Sequence, residues 1–259
     1  QDGSKKWDYD NASTVQAITV SSKGEPHFTY TSGTDKLAVL KTDGSVKTPF
    51  PKSADGLAGF APVVLDNGAI ITASKVSGNQ FFTAYASSGI QLWQVSYTGA
   101  NGSTPADPSH DSATNTTYSA AGFYLFDIPS GGSVLNATPL DTGGIGATTT
   151  MVSVTSTKLL VGMDKNVSVP ASGSELIAID KSSKSVSWRY AVSSSINKQV
   201  AIDNSGNAYF STKNGKLYSI DNTGALRWTI NSGSNSTISP VLTAHGFVWG
   251  YGSKVVLVK

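Results

Sequence analysis

The sequence predicts an all-β chain, a six-bladed β-propeller of four-stranded antiparallel blades whose last blade is closed by the N-terminal strand. Three observations predict it. An apolar-x-Asp segment, a turn Gly and then a Trp recur along the chain, with anchors at residues 7, 48, 93, 136, 188 and 228. Their spacing is about 40–50 residues, the length of one four-stranded blade. Between anchors, β-branched and aromatic runs alternate with Gly, Asn-Gly and Asp-Gly turn signals, and helical periodicity never survives beyond two turns.

The repeat is plainest in Gly206–Trp228. There Tyr209-Phe210 and Leu217–Ile220 read as strands around Asn214-Gly215, expected as a two-residue type I′ turn. Asn222-Thr223-Gly224 turns the chain again before Leu226 and Trp228. In order, blade one is expected to hold strands at Val15–Val20, His27–Thr31 and Lys36–Leu40. Blade two holds Ala61–Leu65, Ala69–Ala73, Gln80–Tyr85 and Ile90–Val95. Blade three departs: its opening, Tyr97–Asn115, is polar, carries Pro105 and Pro108, and lacks the apolar run of a buried inner strand. Blade four holds Thr148–Val154, Lys158–Gly162, Leu176–Asp180 and Val186–Tyr190, with an insertion at Asp164–Gly173. Blade five holds Gln199–Ile202, Ala208–Ser211, Leu217–Ile220 and Ala225–Ile230. Blade six holds Ile238–Leu242, Phe247–Tyr251 and Val255–Val258.

The termini supply the sixth anchor. The C-terminal apolar run Val255–Val258, joined to Asp2-Gly3 and Trp7, spells the repeat at its usual offset. Residues 1–10 are therefore expected to complete the blade formed by residues 234–259, giving one domain over 1–259. A backbone ladder across the seam would bury the chain ends and remove an open strand edge.

Composition narrows the function classes. Charged residues make up 14% of the 259 and the formal net charge is +2, with no basic stripe, so neither nucleic acid nor a membrane is expected as partner. No apolar run approaches the ~20 residues of a membrane-spanning helix. With no Cys, disulfides, thiolate metal sites and Cys nucleophiles are excluded together. Six Asn-X-Ser/Thr sequons, at Asn11, Asn101, Asn115, Asn136, Asn166 and Asn235, combine with low charge and only two Met to give the expectation of a secreted, extracellular glycoprotein.

At the apolar-x-Asp, Gly and Trp positions the chain resembles the quinoprotein-type (PQQ-like) propeller repeat of quinone-dependent alcohol dehydrogenases and of non-catalytic bacterial outer-membrane assembly lipoproteins. The resemblance implies that Trp7, Trp93, Trp188 and Trp228 dock between neighbouring blades; Thr48 and Asn136 break the pattern. It also implies what a quinone would need. Those dehydrogenases are larger, usually eight-bladed, and commonly set a disulfide of adjacent cysteines over the cofactor and an acidic Ca²⁺ site below it. Here there is no Cys, and Glu25 and Glu175 are the only Glu residues. No cofactor or resident metal is expected.

Candidate sites fall on loops leading into the innermost strands, where propeller ligands usually sit. Gln16, Phe60, Thr149, Asn197, Gln199 and Ser239 are expected to line a ligand-binding mouth. Two places are chemically richer. In Asp107-Pro108-Ser109-His110-Asp111, His110 can serve as a general base oriented by Asp107 or Asp111. Lys198 can bind an anion, or act as a base if desolvated. His27 is expected to be structural, His245 exposed, and Arg189 and Arg227 to pack over aromatic faces. No nucleophile elbow, phosphate loop, dinucleotide fingerprint or zinc-protease motif is present. The expected function is binding of a small molecule or carbohydrate by a monomer at the channel mouth. The alternative is a cofactor-free lyase, hydrolase or cyclase using the His/Asp or Lys site.

Overall fold

The computed structural model describes residues 4–10, 13–53, 56, 59–77, 79–97, 106–129, 131–132, 136–140, 146–165, 173–197 and 199–258. Among these there is no helix, and the strands form six antiparallel sheets.

The first sheet runs β1 (Val15–Val20), β2 (Pro26–Ser32), β3 (Thr34–Val39), β4 (Lys52–Ser53). The second runs β5 (Val63–Val64), β6 (Ile70–Val76), β7 (Asn79–Tyr85), β8 (Gln91–Tyr97). The third joins β9 (Ser109–Asp111), β10 (Thr116–Ala121), β11 (Tyr124–Pro129) and β12 (Asn136–Pro139). Despite its polar sequence, the opening of blade three pairs as an inner strand, Asp111 opposite Thr116 and Ser109 opposite Tyr118. In the fourth sheet the expected single strand over 148–154 is two, β13 (Ala147–Thr148) and β14 (Ser153–Val154), both on β15 (Lys158–Asp164), followed by β16 (Ser174–Asp180) and β17 (Val186–Val192). The fifth runs β18 (Ala201–Ile202), β19 (Ala208–Ser211), β20 (Lys216–Ile220), β21 (Leu226–Asn231). The last has three strands, β22 (Val241–Thr243), β23 (Gly246–Tyr251) and β24 (Lys254–Val258), and residues 4–10 form no strand.

Several hairpins are closed by one turn chemistry. Asp221 Oδ1 accepts from the backbone N–H of Thr223 and Ala225, while the Asp221 carbonyl accepts from Gly224 N–H. Asp203 does the same for Ser205, Asn207 and Gly206; Asp43 Oδ1 likewise accepts from Ser45 N–H, while Gly44 N–H donates to the Lys41 carbonyl. The Asp of the apolar-x-Asp pattern is thus a turn cap at Asp180 and Asp221. A β-bulge follows at Ala178/Ile179 and Ser219/Ile220, where one strand must absorb the extra turn residue. The Asn214-Gly215 turn differs from expectation. Gly215 alone has positive φ, at 76°, and Thr212 closes the loop with Gly215 and Lys216. Asn214 instead accepts the Thr212 hydroxyl at 2.7 Å, which leaves it in ordinary right-handed geometry.

The chain divides into two compact units, Gln1–Tyr118 with Asp127–Asn136, and Ser119–Phe126 with Ala137–Lys259. In the first unit β1 lies beside β5 and β5 beside β9; in the second β18 lies beside β22. Side chains fill the space between consecutive sheets. Leu37, Val39, Phe50, Ile70 and Tyr85 form one cluster of the first unit. Leu160, Leu176, Phe210, Tyr218 and Ile220 belong to a cluster of the second.

The Trp positions dock sheet on sheet, as the repeat implies. Trp188, on β17, packs on Gly224 of the fifth sheet's last turn and donates Nε1–H to the Asn222 carbonyl at 3.1 Å. Trp7 packs on Gly44 and donates to the Thr42 carbonyl at 3.0 Å, again two residues before the Gly. Trp93 packs on Gly132, and Trp228 lies 6.1 Å from the Phe247 ring. Where Thr48 breaks the pattern, the next residue, Pro49, lies over Gly89 in the indole's place.

Candidate functional site

Four of the residues expected at the mouth, Phe60, Asn197, Gln199 and Ser239, are engaged in joining sheets. Thr29 donates to the Phe60 carbonyl at 3.0 Å, and Phe60 itself is buried. Gln199 N–H donates to Ser239 Oγ at 2.8 Å. Asn197, buried, donates its amide to Ser211 Oγ at 2.8 Å and the Ser236 carbonyl at 3.3 Å. Ser153 holds the Val200 carbonyl in the same way, at 2.7 Å. Gln16 stands exposed on β1, and Thr149 is half-buried at the start of its segment. Short hydroxyl and amide side chains recur here because the first strands are short and neighbouring backbones need partners.

His110 sits on β9 with Nδ1 3.3 Å from Thr117 Oγ1, so its ring hydrogen bond goes to a hydroxyl. Burial lowers its pKa from 6.5, against the opposing pull of Asp66 and Asp111. Asp111 is buried and caps the next turn, accepting from Ala113 N–H and Thr114 Oγ1. Asp107 Oδ1 accepts from Ala61 N–H at 2.9 Å, tying the third sheet's opening to the second. His110 and Asp111 are consecutive on β9 but bond to different partners, while Asp107 is turned to the neighbouring backbone. Lys198 lies outside the described residues, as do the sequons Asn11, Asn101 and Asn166. Asn115 is exposed on a turn and Asn235 is exposed between β21 and β22, and Asn136 donates to Asp127 at 3.3 Å. Among the described residues no cluster of three His, Cys, Asp or Glu could hold a metal ion.

Arg227 lies over the Tyr209 ring, 6.0 Å from its centroid, and donates to its hydroxyl. Arg189 does not stack. It pairs with the buried Glu175 and donates to the Leu140 carbonyl, because a buried carboxylate needs a counter-charge more than a ring does.

The cavities lie at the other end of the strands, where first and second strands are joined. In the second unit a cleft of about 400 Å³ opens between the fourth and fifth sheets. The β14–β15 turn contributes Ser156, Thr157 and Lys158, and the β18–β19 turn contributes Asn204 and Ser205, while Trp188 forms a wall. Lys158 is fixed by the Asn222 carbonyl. Asp203, also on the lining, bonds to Asn207 and to the Tyr209 hydroxyl at 2.8 Å. Burial raises the Asp203 pKa, but its hydrogen bonds from Asn207 and Tyr209 outweigh that, and the carboxyl titrates below its ordinary 3.8. In the first unit a smaller cavity, of about 100 Å³, lies between the first two sheets and is lined by Glu25, His27, Lys47 and Asp66. Sequence reasoning assigned neither place. The available signal was charge: His27 lies between Glu25 and Lys47, in a chain otherwise poor in charged residues.

Sheets stacked through repeated Trp–Gly docks are the hallmark of a PQQ-like propeller repeat, and sequence comparison agrees. The family profile described as "Outer membrane protein assembly factor BamB" matches residues 130–259. The chain belongs to this family of PQQ-like β-propeller repeats. BamB from Moraxella catarrhalis superposes with a TM-score of 0.60 at 12% identity, over 95% of this chain and 85% of that one. Saccharomyces cerevisiae Sqt1 gives 0.69 at 15%, over 92% and 69%. The Dos1 propeller gives 0.66 at 14%, over 92% and 64%. These likenesses establish the β-propeller fold. No curated protein matches this chain in sequence.

Proposed function

We propose that this chain is an exported, glycosylated binding propeller that takes a carbohydrate in the cleft between the fourth and fifth sheets. The cleft itself carries this reading. One indole wall beside hydroxyl and amide side chains suits a sugar, whose ring face is apolar and whose edge hydroxyls both donate and accept. Few groups there are charged, so an uncharged ligand fits better than an ion. The site does not use the Trp188 dock alone, so it is testable without unfolding the sheet. Glycan-array binding should be lost in the double variant Thr157→Ala, Asn204→Ala while the melting temperature holds. An array with no binder, or a binder indifferent to both substitutions, sinks the reading. Exposed Asn115 and Asn235 support glycosylation; a mass shift removed by amidase treatment after expression in a glycosylating host tests it.

We further propose that the six sheets are six blades of one ring, with residues 4–10 lying along β24 as the outermost strand of the last blade. Trp7 supports this: it docks on the turn Gly of the first sheet as Trp93 and Trp188 dock on the sheets after theirs. A residue so placed belongs to the blade before the first. The chain has no Cys, so engineered pairs report cleanly. Lys6→Cys combined in turn with a Cys at Val255, Val256 or Leu257 should yield an intrachain disulfide in the monomer. Disulfides formed only between chains would refute closure.

A further inference from the structure

His27 stands where the repeat otherwise places larger apolar or aromatic side chains. Pro26 pairs with Val20 as Ile70 pairs with Val64, Leu159 with Val154 and Ala208 with Ile202. One position further on, these sheets carry Ile71, Leu160 and Tyr209, and the first sheet carries His27. His27 is only 3% exposed, so a polar ring has been put into the interior at a cost the fold does not require. Departures from a local rule without structural gain mark functional positions.

The surroundings define what it can bind. Nδ1 of His27 lies 2.9 Å from the Glu25 carbonyl. A carbonyl only accepts, so Nδ1 carries the hydrogen and Nε2 is left as the acceptor. Burial lowers the His27 pKa from 6.5, with Lys47 adding to it and Glu25 opposing, so the ring is neutral at pH 7. The cavity it lines is closed by Glu25 and Lys23 from the β1–β2 turn, Lys47 from the segment after β3, and Asp66 from the β5–β6 turn. Glu25 and Lys47 pair at 2.8 Å. Two carboxylates and two ammonium groups cancel, which disfavours an ionic ligand. Both donors and acceptors line a space of about 100 Å³. That is roughly three water volumes, enough for a few heavy atoms. Adjacent hydroxyls, each able to donate and accept, match such a lining.

We propose that this cavity binds a small uncharged polyol, or the terminal diol of a larger one, with one hydroxyl donating to His27 Nε2. The site is separate from the carbohydrate cleft of the second unit, and its lining shares no residue with it. The corresponding cleft carries Leu160 in place of His27, so an apolar residue at this position is compatible with the repeat.

The test is a titration of the full chain with erythritol, followed through the His27 ring nitrogens by NMR, with ethanolamine and inorganic phosphate as charged controls. Few-atom ligands bind weakly, so a Kd on the order of millimolar is expected. Erythritol should move the Nε2 resonance, and binding should fade as pH falls through the His27 titration, because a protonated Nε2 donates and no longer accepts. His27→Leu should fold and weaken erythritol binding by at least about tenfold. An unmoved Nε2 resonance overturns the proposal without any variant. So does equal affinity in His27→Leu, or a response to ethanolamine or phosphate but not to erythritol. Glycan-array results at the second-unit cleft are independent of all these outcomes.

Discussion

Trp188 and Gly224 are in contact so close that no side chain fits between them: a Cβ on Gly224 would come within 2.8 Å of the indole Cγ. Gly224 also has φ of +94°, which L side chains rarely adopt. The two constraints act together, and they explain why a Gly and a Trp four residues after the equivalent turn recur as a linked pair.

Gly224→Ala should therefore cost about 2–4 kcal/mol, combining backbone strain with displacement of the indole. Gly33→Ala is the control. Its φ is +72°, but nothing lies within 4 Å of the added Cβ. It should cost only the strain of about 1 kcal/mol. Chemical denaturation of both variants checks this; equal losses would mean that the dock contributes nothing.

Asn197→Ala should destabilise by about 2 kcal/mol, since it removes two buried hydrogen bonds and leaves the Ser236 carbonyl without its donor, while Ser211 Oγ keeps its bond to the Ile238 carbonyl. Asp107→Ala frees Ala61 N–H, which is only partly buried, and should cost about 1 kcal/mol. The order of the two denaturation midpoints is the measurement.

Stability should fall in two pH windows. His27 and His110 have pKa values lowered from 6.5 by burial. The unfolded chain then binds more protons, so their contribution is full above 6.5 and is lost as pH falls through the lower folded values. His27→Leu should remove its share of that slope. Hydrogen bonds from Ser182 and Ser183 hold Asp180 at about 2 against an ordinary 3.8. Its contribution is complete above 3.8 and is lost between there and about 2. Thermal midpoints from pH 8 to pH 2, with Asp180→Ala flattening only the acid window, test the assignment.

Strand positions were legible because each blade alternates β-prone runs with turn residues of fixed chemistry, as Ala208–Ser211 and Val15–Val20 demonstrate. Boundaries slipped where pairing overrides propensity: Ser109–Asp111 is polar yet paired, and Thr149–Val152 interrupts an apolar run. Pro49 in the indole's place was not legible, because what the dock requires is a filled volume over Gly89, and the residue that fills it lies one position beyond the expected anchor. The lining of the cavities was hidden for another reason. Lys47 and Asp66 meet His27 only through two different turns, and their sequence separation carries no trace of that meeting.

β24 is hydrogen-bonded to β23 on one side, and among the described residues no strand occupies its other side. Val255 is 75% exposed and Leu257 49%. A bare, apolar strand rim of this kind is a template for growth by other chains. Val255→Lys or Leu257→Lys would blunt the rim for that reason, and should lower any tendency to grow into fibrils or swapped oligomers, visible by light scattering before any loss of secondary structure.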